Sequence, residues 1–322
     1  MSGQAALTAA PTNRAAGRAD HMTIVLDGKI PSLKIREWIY AAVDVMRVKY
    51  GWRPGIVTVR IGDNQASERY IRSQLKACES VGCTARFEQF KAGISKEDFL
   101  KALAAIGRDP DVDGIILQRP FPFGWHAEEI LNGLPSSKDV EGVHPENLGR
   151  LYLGESGIPL PCTAWAAISL LEWYGRSTFE HKRCVVVGRS PNVGRAAAIM
   201  LMHRNATVTI CHTRTSPEHM RDTLKSADIA VIAAGLAGVV RTSDFSDRAW
   251  VVDVGTNVTD DGRLVGDVEK DADGCVEALS PVPGGVGPIT VSLLLANLLL
   301  CASRRRLGKR LMLPNLFELR GV

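Results

Sequence analysis

Two groups of residues have side-chain types and spacings suited to chemistry. The first is the run Cys184-Val-Val-Val-Gly188-Arg189-Ser190-Pro-Asn-Val193-Gly194-Arg195, which reads as a buried strand, a sharp turn and a helix start. Gly188 lets the chain turn tightly, and Gly194 lets the helix lie close to the strand. The helix start then offers unpaired N–H groups and a partial positive charge to a pyrophosphate. The spacing departs from G-x-G-x-x-G, because Ser190 takes the second glycine place and the last glycine falls one residue later. A plain strand-to-helix turn is the competing reading. The next expected strand ends Cys211-His212-Thr213-Arg214-Thr215, without the acid that commonly bonds the ribose of NAD. Arg189, Arg214 and the hydroxyls of Thr213 and Thr215 suit a 2′-phosphate instead, so NADP is expected over NAD.

The second group is scattered. Tyr70 and Gln74 lie four apart in a helical pattern and share a face. Gln118 closes an expected strand at Ile-Leu-Gln-Arg-Pro, and side chains at the carboxyl ends of parallel strands meet ligands. Asp139 and Glu141 follow in Lys138-Asp-Val-Glu-Gly142. Taken singly, a packed tyrosine, a solvated glutamine and a helix-capping acid are the favoured readings.

These residues need elements to hold them. Short β-branched runs alternate with longer amphipathic segments, the pattern of βαβ units around parallel sheets, so the fold class is α/β with two domains. In the first series, strands at 56–61, 85–90 and 114–118 are separated by helices at 67–81 and 96–106, with a further helix at 35–50 ahead of them. A polar, turn-rich stretch runs from 135 to 157. The second series starts with a helix at 164–174 and continues with strands at 184–188, 207–211, 229–233 and 250–254, the first followed by a helix at 193–203. That spacing suggests a Rossmann dinucleotide-binding domain. A last helix at 286–303 has no strand after it and is expected to pack back on the first domain. The expected division is an extension at 1–22, a first domain of 23–148 plus 286–303, a Rossmann domain at 149–285 and a basic tail at 304–322.

Composition narrows the class further. The chain has 322 residues, 45% hydrophobic and 23% charged, as in a soluble globular protein. Its net charge of +4 is uneven, since six cations against Glu318 give residues 303–322 a net +5. Residues 1–22 carry +1, which leaves the body at −2 and gives no case for a nucleic-acid surface. Seven cysteines without a C-x-x-C pair argue against a disulfide framework and a zinc knuckle, and fit a reducing cytoplasm. The most apolar run, 289–302, is short of the roughly 20 residues of a membrane span and reads as a buried helix. The first 22 residues lack the apolar middle of a secretory signal; a disordered extension and an organellar transit peptide are the two readings.

From about Ile24 to Ala302 the chain resembles the methylenetetrahydrofolate dehydrogenase/methenyltetrahydrofolate cyclohydrolase family. The resemblance lies in Gly62-Asp-Asn-Gln-Ala-Ser67 before Tyr70, Asp113-Gly-Ile-Ile-Leu-Gln118-Arg-Pro-Phe-Pro122, Lys138-Asp-Val-Glu-Gly142 and His144-Pro-Glu-Asn147-Leu-Gly-Arg150. It continues in Pro161-Cys-Thr163, Gly188-Arg-Ser190 with Val193-Gly194, Asp253-Val-Gly255 and Pro281-Val-Pro-Gly-Gly-Val-Gly-Pro288-Ile-Thr290.

The resemblance implies a folate-facing first domain, an NADP-binding second domain, a cleft between them and a homodimer. It implies hydride transfer from 5,10-methylenetetrahydrofolate to NADP, then hydrolysis of the methenyl product to 10-formyltetrahydrofolate. By the same resemblance Tyr70, Gln74 and Gln118 occupy catalytic positions, Tyr70, Glu141, Pro283, Gly284 and Gly285 face the folate, and Gly188, Arg189, Ser190, Val193, Gly194, His212, Arg214, Thr215 and Gly255 face the cofactor. No metal, nucleic acid or membrane is implied. Two positions depart. The family's catalytic lysine, four residues after the tyrosine, is Gln74, and its pterin-anchoring aspartate is Glu141. An amide cannot titrate, and Lys76, about 200° around the helix, faces away. The expectation is a dehydrogenase with cyclohydrolase activity lost or strongly reduced. The alternatives are an oxidoreductase for another methylene or imine donor, and a non-catalytic folate or NADP binder.

Overall fold

The computed structural model describes residues 23–63, 65–176, 178–271, 276–311 and 319, with side chains described throughout except at 65–67, 69 and 70. The expectations for residues 1–22 and for 312–318 and 320–322 of the tail lie outside the described residues.

Strand β1 (Ile24–Val25) leads into helix α1 (Lys29–Tyr50), which buries Pro31, Ser32, Ile35, Ile39, Val43 and Met46 along one side. This helix starts six residues before the expected 35, because Pro31 lies in the first turn, where a missing N–H costs nothing. Strand β2 (Gly55–Ile61), helix α2 (Gln65–Ser80), strand β3 (Thr84–Phe90), helix α3 (Lys96–Arg108) and strand β4 (Gly114–Leu117) complete the first series. The three strands form a parallel sheet in the order β3-β2-β4. Its central strand is buried at every residue, which explains the unbroken apolar character of much of β2.

The stretch 135–157, expected as turns, is partly helical. After α4 (Ala127–Asn132), helix α5 (Pro145–Tyr152) starts on His144, whose ring Nδ1 accepts from the Glu146 N–H, with Pro145 in its first turn. The start signal is present in the sequence; its shortness and its high polar content hid it.

Helix α6 (Cys162–Trp173), strand β5 (Arg183–Val187), helix α7 (Ala196–Met202), strand β6 (Thr207–Cys211), helix α8 (Pro217–Lys225) and strand β7 (Ile229–Ile232) follow. Then come β8 (Val240–Arg241), β9 (Trp250–Asp253), β10 (Asn257–Val258), β11 (Leu264–Val265), β12 (Val268–Glu269), β13 (Ala278–Leu279) and α9 (Val286–Leu307). The large sheet is parallel in the order β1-β13-β9-β7-β5-β6. Chain order reverses at β5, where β6 is added on one side and β7 on the other, so the crevice outside the carboxyl ends there is the expected ligand position. One boundary needs correction: residues 24–25, assigned to the first domain, pair with β13 in the large sheet.

Helix α9 is shared. Fourteen of its residues are buried, and it packs on both α1 and α6. It is long and apolar enough to cross a membrane, yet 83% of its most apolar stretch is inside this protein. It also runs to Leu307, past the expected end at 303. Asp113, wholly buried at the start of β4, holds Arg305 and Arg306, with Arg306 Nε at 2.8 Å. The Arg306 guanidinium also lies 4.8 Å from the centre of the Trp52 ring. The first turn of the expected basic tail is therefore ordered helix, because the two arginines neutralise a buried carboxylate.

Candidate active site

Gln74 is 2% exposed on α2, and Gln118 is 8% exposed just beyond β4. Gln118 Nε2 donates to Gln74 Oε1 at 2.9 Å, so helix face and strand end meet through two neutral amides. The buried Gln74 Nε2 makes no hydrogen bond, an orphan donor that a ligand acceptor would satisfy. Tyr70 lies on α2 one turn earlier, but its side chain is outside the described residues.

Arg72, two residues before Gln74, pairs with Glu68 at 3.0 Å, and three further cations of the first domain have partners or directions of their own. Lys76 is exposed on the far side of α2. Arg60, on β2, donates to Glu68 Oε2 at 3.0 Å, and its guanidinium lies 5.1 Å from the Phe87 ring centre. Arg60 is thus engaged by Glu68 of α2 and Phe87 of β3. Lys138 is buried and spends its ammonium on the Asp109 carbonyl at 2.7 Å.

Glu141 completes the cluster. Burial, reinforced by the Asp139 carboxylate, pushes its carboxyl up to about 7; Arg119 and the Leu117 backbone pull the other way. Those last two flank Gln118, which places Glu141 at the same strand end. Asp139 ties down the start of α5: its Oδ2 accepts from the N–H of His144, the residue that caps the helix, at 2.8 Å and from Asn147 Nδ2 at 2.9 Å.

A cavity of about 310 Å³ opens at the carboxyl edge of the large sheet, lined by Asp253 to Thr256, Leu264 and Pro281 to Pro288. Pro283, Gly284, Gly285 and Gly255 therefore share one wall. Gly28, at the start of α1, donates to the Gly284 carbonyl at 2.8 Å, so the first helix props the loop from behind. Asp253 is 4% exposed, and burial pushes its carboxyl up to about 6 against N–H donors from Gly255, Asp267 and Val268.

The glycine turn has the compactness its residues require. Gly188 adopts φ 138°, and a Cβ there would lie 2.2 Å from the Ala233 carbonyl oxygen; a Cβ on Gly194 would lie 2.2 Å from the Gly188 oxygen. Ser190 Oγ accepts from the Gly194 N–H at 3.5 Å as the wide turn Pro191–Arg195, containing Val193, runs into α7. At the end of β6, the His212 N–H donates to Thr215 Oγ1 at 3.0 Å, and the Arg214 N–H to His212 Nδ1 at 3.1 Å. Arg189 and Arg214 are both exposed at this rim. A second cavity, about 450 Å³, lies beside them, lined by Thr213, Thr215, Arg221, Leu236 and Arg241 among others. Small turn, exposed cations and adjoining cavity together fit a dinucleotide with an extra phosphate.

Two contributors escaped the sequence reading. Asp267 is completely buried and takes N–H groups from Ala234, Gly235 and Leu236 and the Asn257 amide, fixing the loop that walls the second cavity. Its signal was an acid between β-branched runs, Leu-Val-Gly-Asp-Val. Asn297 is the only amide in the apolar run of α9. The six described cysteines are free and buried.

Residues 26–141 match the catalytic domain of tetrahydrofolate dehydrogenase/cyclohydrolase, and residues 161–306 match the NAD(P)-binding domain of the same family. A bifunctional protein FolD from Methanoculleus marisnigri is 40% identical over 288 residues, covering 88% of this chain and 98% of that one. The bifunctional methylenetetrahydrofolate dehydrogenase/cyclohydrolase FolD from Campylobacter jejuni superposes with a TM-score of 0.83 at 35% identity, covering 88% of this chain and all of the other. The Trypanosoma brucei methylenetetrahydrofolate dehydrogenase-cyclohydrolase, solved with NADP and an inhibitor, also gives 0.83, at 33% identity, over 88% of this chain and 98% of that one.

Proposed function

The chain belongs to the tetrahydrofolate dehydrogenase/cyclohydrolase family, and from that premise we propose that it is an NADP-dependent 5,10-methylenetetrahydrofolate dehydrogenase whose cyclohydrolase activity is lost or strongly reduced. The observation that carries this reading is the buried Gln74–Gln118 amide pair.

The two reactions ask different things of the site. Hydrolysis of a methenyl carbon needs a group that moves protons as water attacks, and a positioned acid/base contributes about 10² to 10⁴ in rate. Neither amide titrates, and Lys76, Arg60 and Lys138 have partners or directions of their own. Dehydrogenation needs alignment and dryness. Bound NADP supplies the hydride acceptor. The chain supplies the rest: Gln118 and Gln74 hydrogen-bond beside the reacting carbon, Tyr70 orients the ring system, Glu141 holds the pterin edge, and Pro281 to Pro288 shape the wall.

For the cofactor, Gly188, Ser190, Val193 and Gly194 receive the pyrophosphate at the helix start, while Arg189, Arg214 and Thr215 take the 2′-phosphate, with His212 fixing the Arg214 backbone. A homodimer completes the reading. Tyr152, Leu153, Met202 and Ile210 are 65%, 72%, 50% and 43% exposed around the β6 edge, where an unpaired strand and apolar side chains suit a second copy.

The test is to incubate the protein with 5,10-methylenetetrahydrofolate and NADP and follow methenyl and formyl products separately. Methenyl product should accumulate. Formyl formation at the pace of its appearance would refute the loss of hydrolysis. Absence of any oxidation would refute the dehydrogenase reading.

A further inference from the structure

We propose that Asn297, on the buried face of α9, is a positioning residue that aims Glu141 into the cleft. The proposal rests on reading Glu141 as the acid that holds the pterin.

Asn297 is wholly buried, in a run of leucines where an unpaired amide would be costly. It is fully used. Its Nδ2 donates to the Val140 carbonyl at 2.9 Å, to the Leu160 carbonyl at 2.8 Å, and lies 3.3 Å from Cys162 Sγ; its Oδ1 accepts from the Leu160 N–H at 3.2 Å. One side chain therefore joins two segments that are about 20 residues apart in the chain, on either side of the passage from the first domain to the second.

The geometry reaches Glu141 through its own peptide. The Val140 carbonyl belongs to the peptide plane that ends at the Glu141 nitrogen, and it is held both by Asn297 and by the Cys162 thiol at 3.3 Å. The following carbonyl, that of Glu141, accepts from the Cys162 N–H at 3.2 Å. Both peptide planes flanking the Glu141 Cα are thus pinned. The Val140 side chain sets the opposite direction: it is buried so tightly that a Cβ on Gly114 would lie 2.3 Å from Val140 Cγ1. With Val140 plugged toward β4 and α9, Glu141 is turned outward. A glutamate in place of an aspartate has one more rotatable bond, so fixing its backbone matters more.

Asn297→Leu keeps the branched side-chain shape and removes the four contacts. The expected result is a rise of about 10-fold in KM for the methylene donor, since a 1 Å misplacement can cost up to 10²-fold, with kcat and the KM for NADP within about 2-fold. Combined with Glu141→Gln, it should add less than about 2-fold, because both act through one carboxylate. Equal rises in both KM values, or fully additive effects, would overturn the proposal. Asn297→Ser, too short to reach Val140, should give the same split and serves if the leucine variant folds poorly.

The claim can also be read without turnover. Titrating the Glu141 carboxyl by its infrared stretch in ligand-free protein, with Glu141→Gln as the blank, should give a midpoint near 7 that Asn297→Leu moves down toward 4.5 as water enters beside Asp139, Arg119 and Cys162. An unmoved midpoint overturns the positioning role. Failure of the wild type to oxidise the methylene donor would count against the proposed function alone.

Discussion

At the rim of the large sheet, the groups proposed to meet the cofactor are backbone N–H groups of a glycine turn and the exposed Arg189 and Arg214. At the end of the three-stranded sheet the groups proposed to meet the substrate are the buried, mutually bonded Gln74 and Gln118 and the half-buried Glu141. On the proposed reading the first region recognises charge with solvated side chains that can be lost one at a time. The second has few polar groups in a dry place, where each must be paired and where changing one alters the chemistry available. Cofactor recognition can therefore persist while the reaction served changes.

The contrast is broken most directly at position 74. Gln74→Lys places an ammonium in a site 2% exposed, where desolvation lowers its pKa toward neutrality and suits it to proton transfer. Methenyl hydrolysis should rise by about 10² to 10⁴, while dehydrogenation changes by less than about 3-fold. Separate assays of the two steps check this. Equal changes in both would mean that the amide pair does not divide the reactions.

The next effect belongs to the rim. Removing Arg189 and Arg214 together, each to Ala, should raise KM for NADP by about 10- to 100-fold, as expected for charge-assisted hydrogen bonds worth about 1.5 to 3 kcal/mol, and leave KM for NAD nearly unchanged. Kinetics with both cofactors give the ratio. A parallel loss for NAD would assign the arginines to the pyrophosphate instead.

The same contrast governs what was legible in the sequence. The rim is local: strand, turn and helix start lie within twelve consecutive residues, so Gly188 and Gly194 announced themselves by spacing. The inner cluster draws on α2, the end of β4 and a loop, and nothing in periodicity alone says that Gln74 meets Gln118 across 44 residues. That pairing was reached through family resemblance. Helix α5 was missed because it is short and polar, and the end of α9 because tertiary partners decide it; Arg305 and Arg306 look like a solvated tail until Asp113 is seen beneath them. The outward pairing of β1 with β13 depends on contacts more than 250 residues apart, beyond any local signal.

Glu141 supplies a pH prediction. Its carboxyl is raised from 4.5 to about 7, so the folded protein binds a proton that the unfolded chain releases, and this residue's contribution makes stability fall as pH rises from about 4.5 to 7, then level off. Binding should run the other way if the carboxylate pairs with a pterin amide edge: KM for the methylene donor rises several-fold, on the order of 3 to 10, as pH drops one unit below 7. Glu141→Gln should flatten both dependences. A Gln variant that keeps the wild-type slope in denaturation and in KM would place the titrating group elsewhere.

The smallest expected effect is also the sharpest control. Lys76 lies two residues past Gln74, about 200° around the helix, and is exposed where Gln74 is buried. Lys76→Gln should change dehydrogenation and any residual hydrolysis by less than about 2-fold, in keeping with the small energetics of exposed cations. Suppose instead that residual hydrolysis falls tenfold or more while dehydrogenation holds. The helix would then have to turn by half a revolution during the reaction, and Ala77 and Cys78, now 5% and 1% exposed in the core, would have to leave it. That cost falls on the packing of α2, so the same variant should also change denaturant sensitivity if such a turn occurs. An unchanged midpoint together with unchanged rates keeps the cation outside the cleft, and leaves the two amides to account for what the site does.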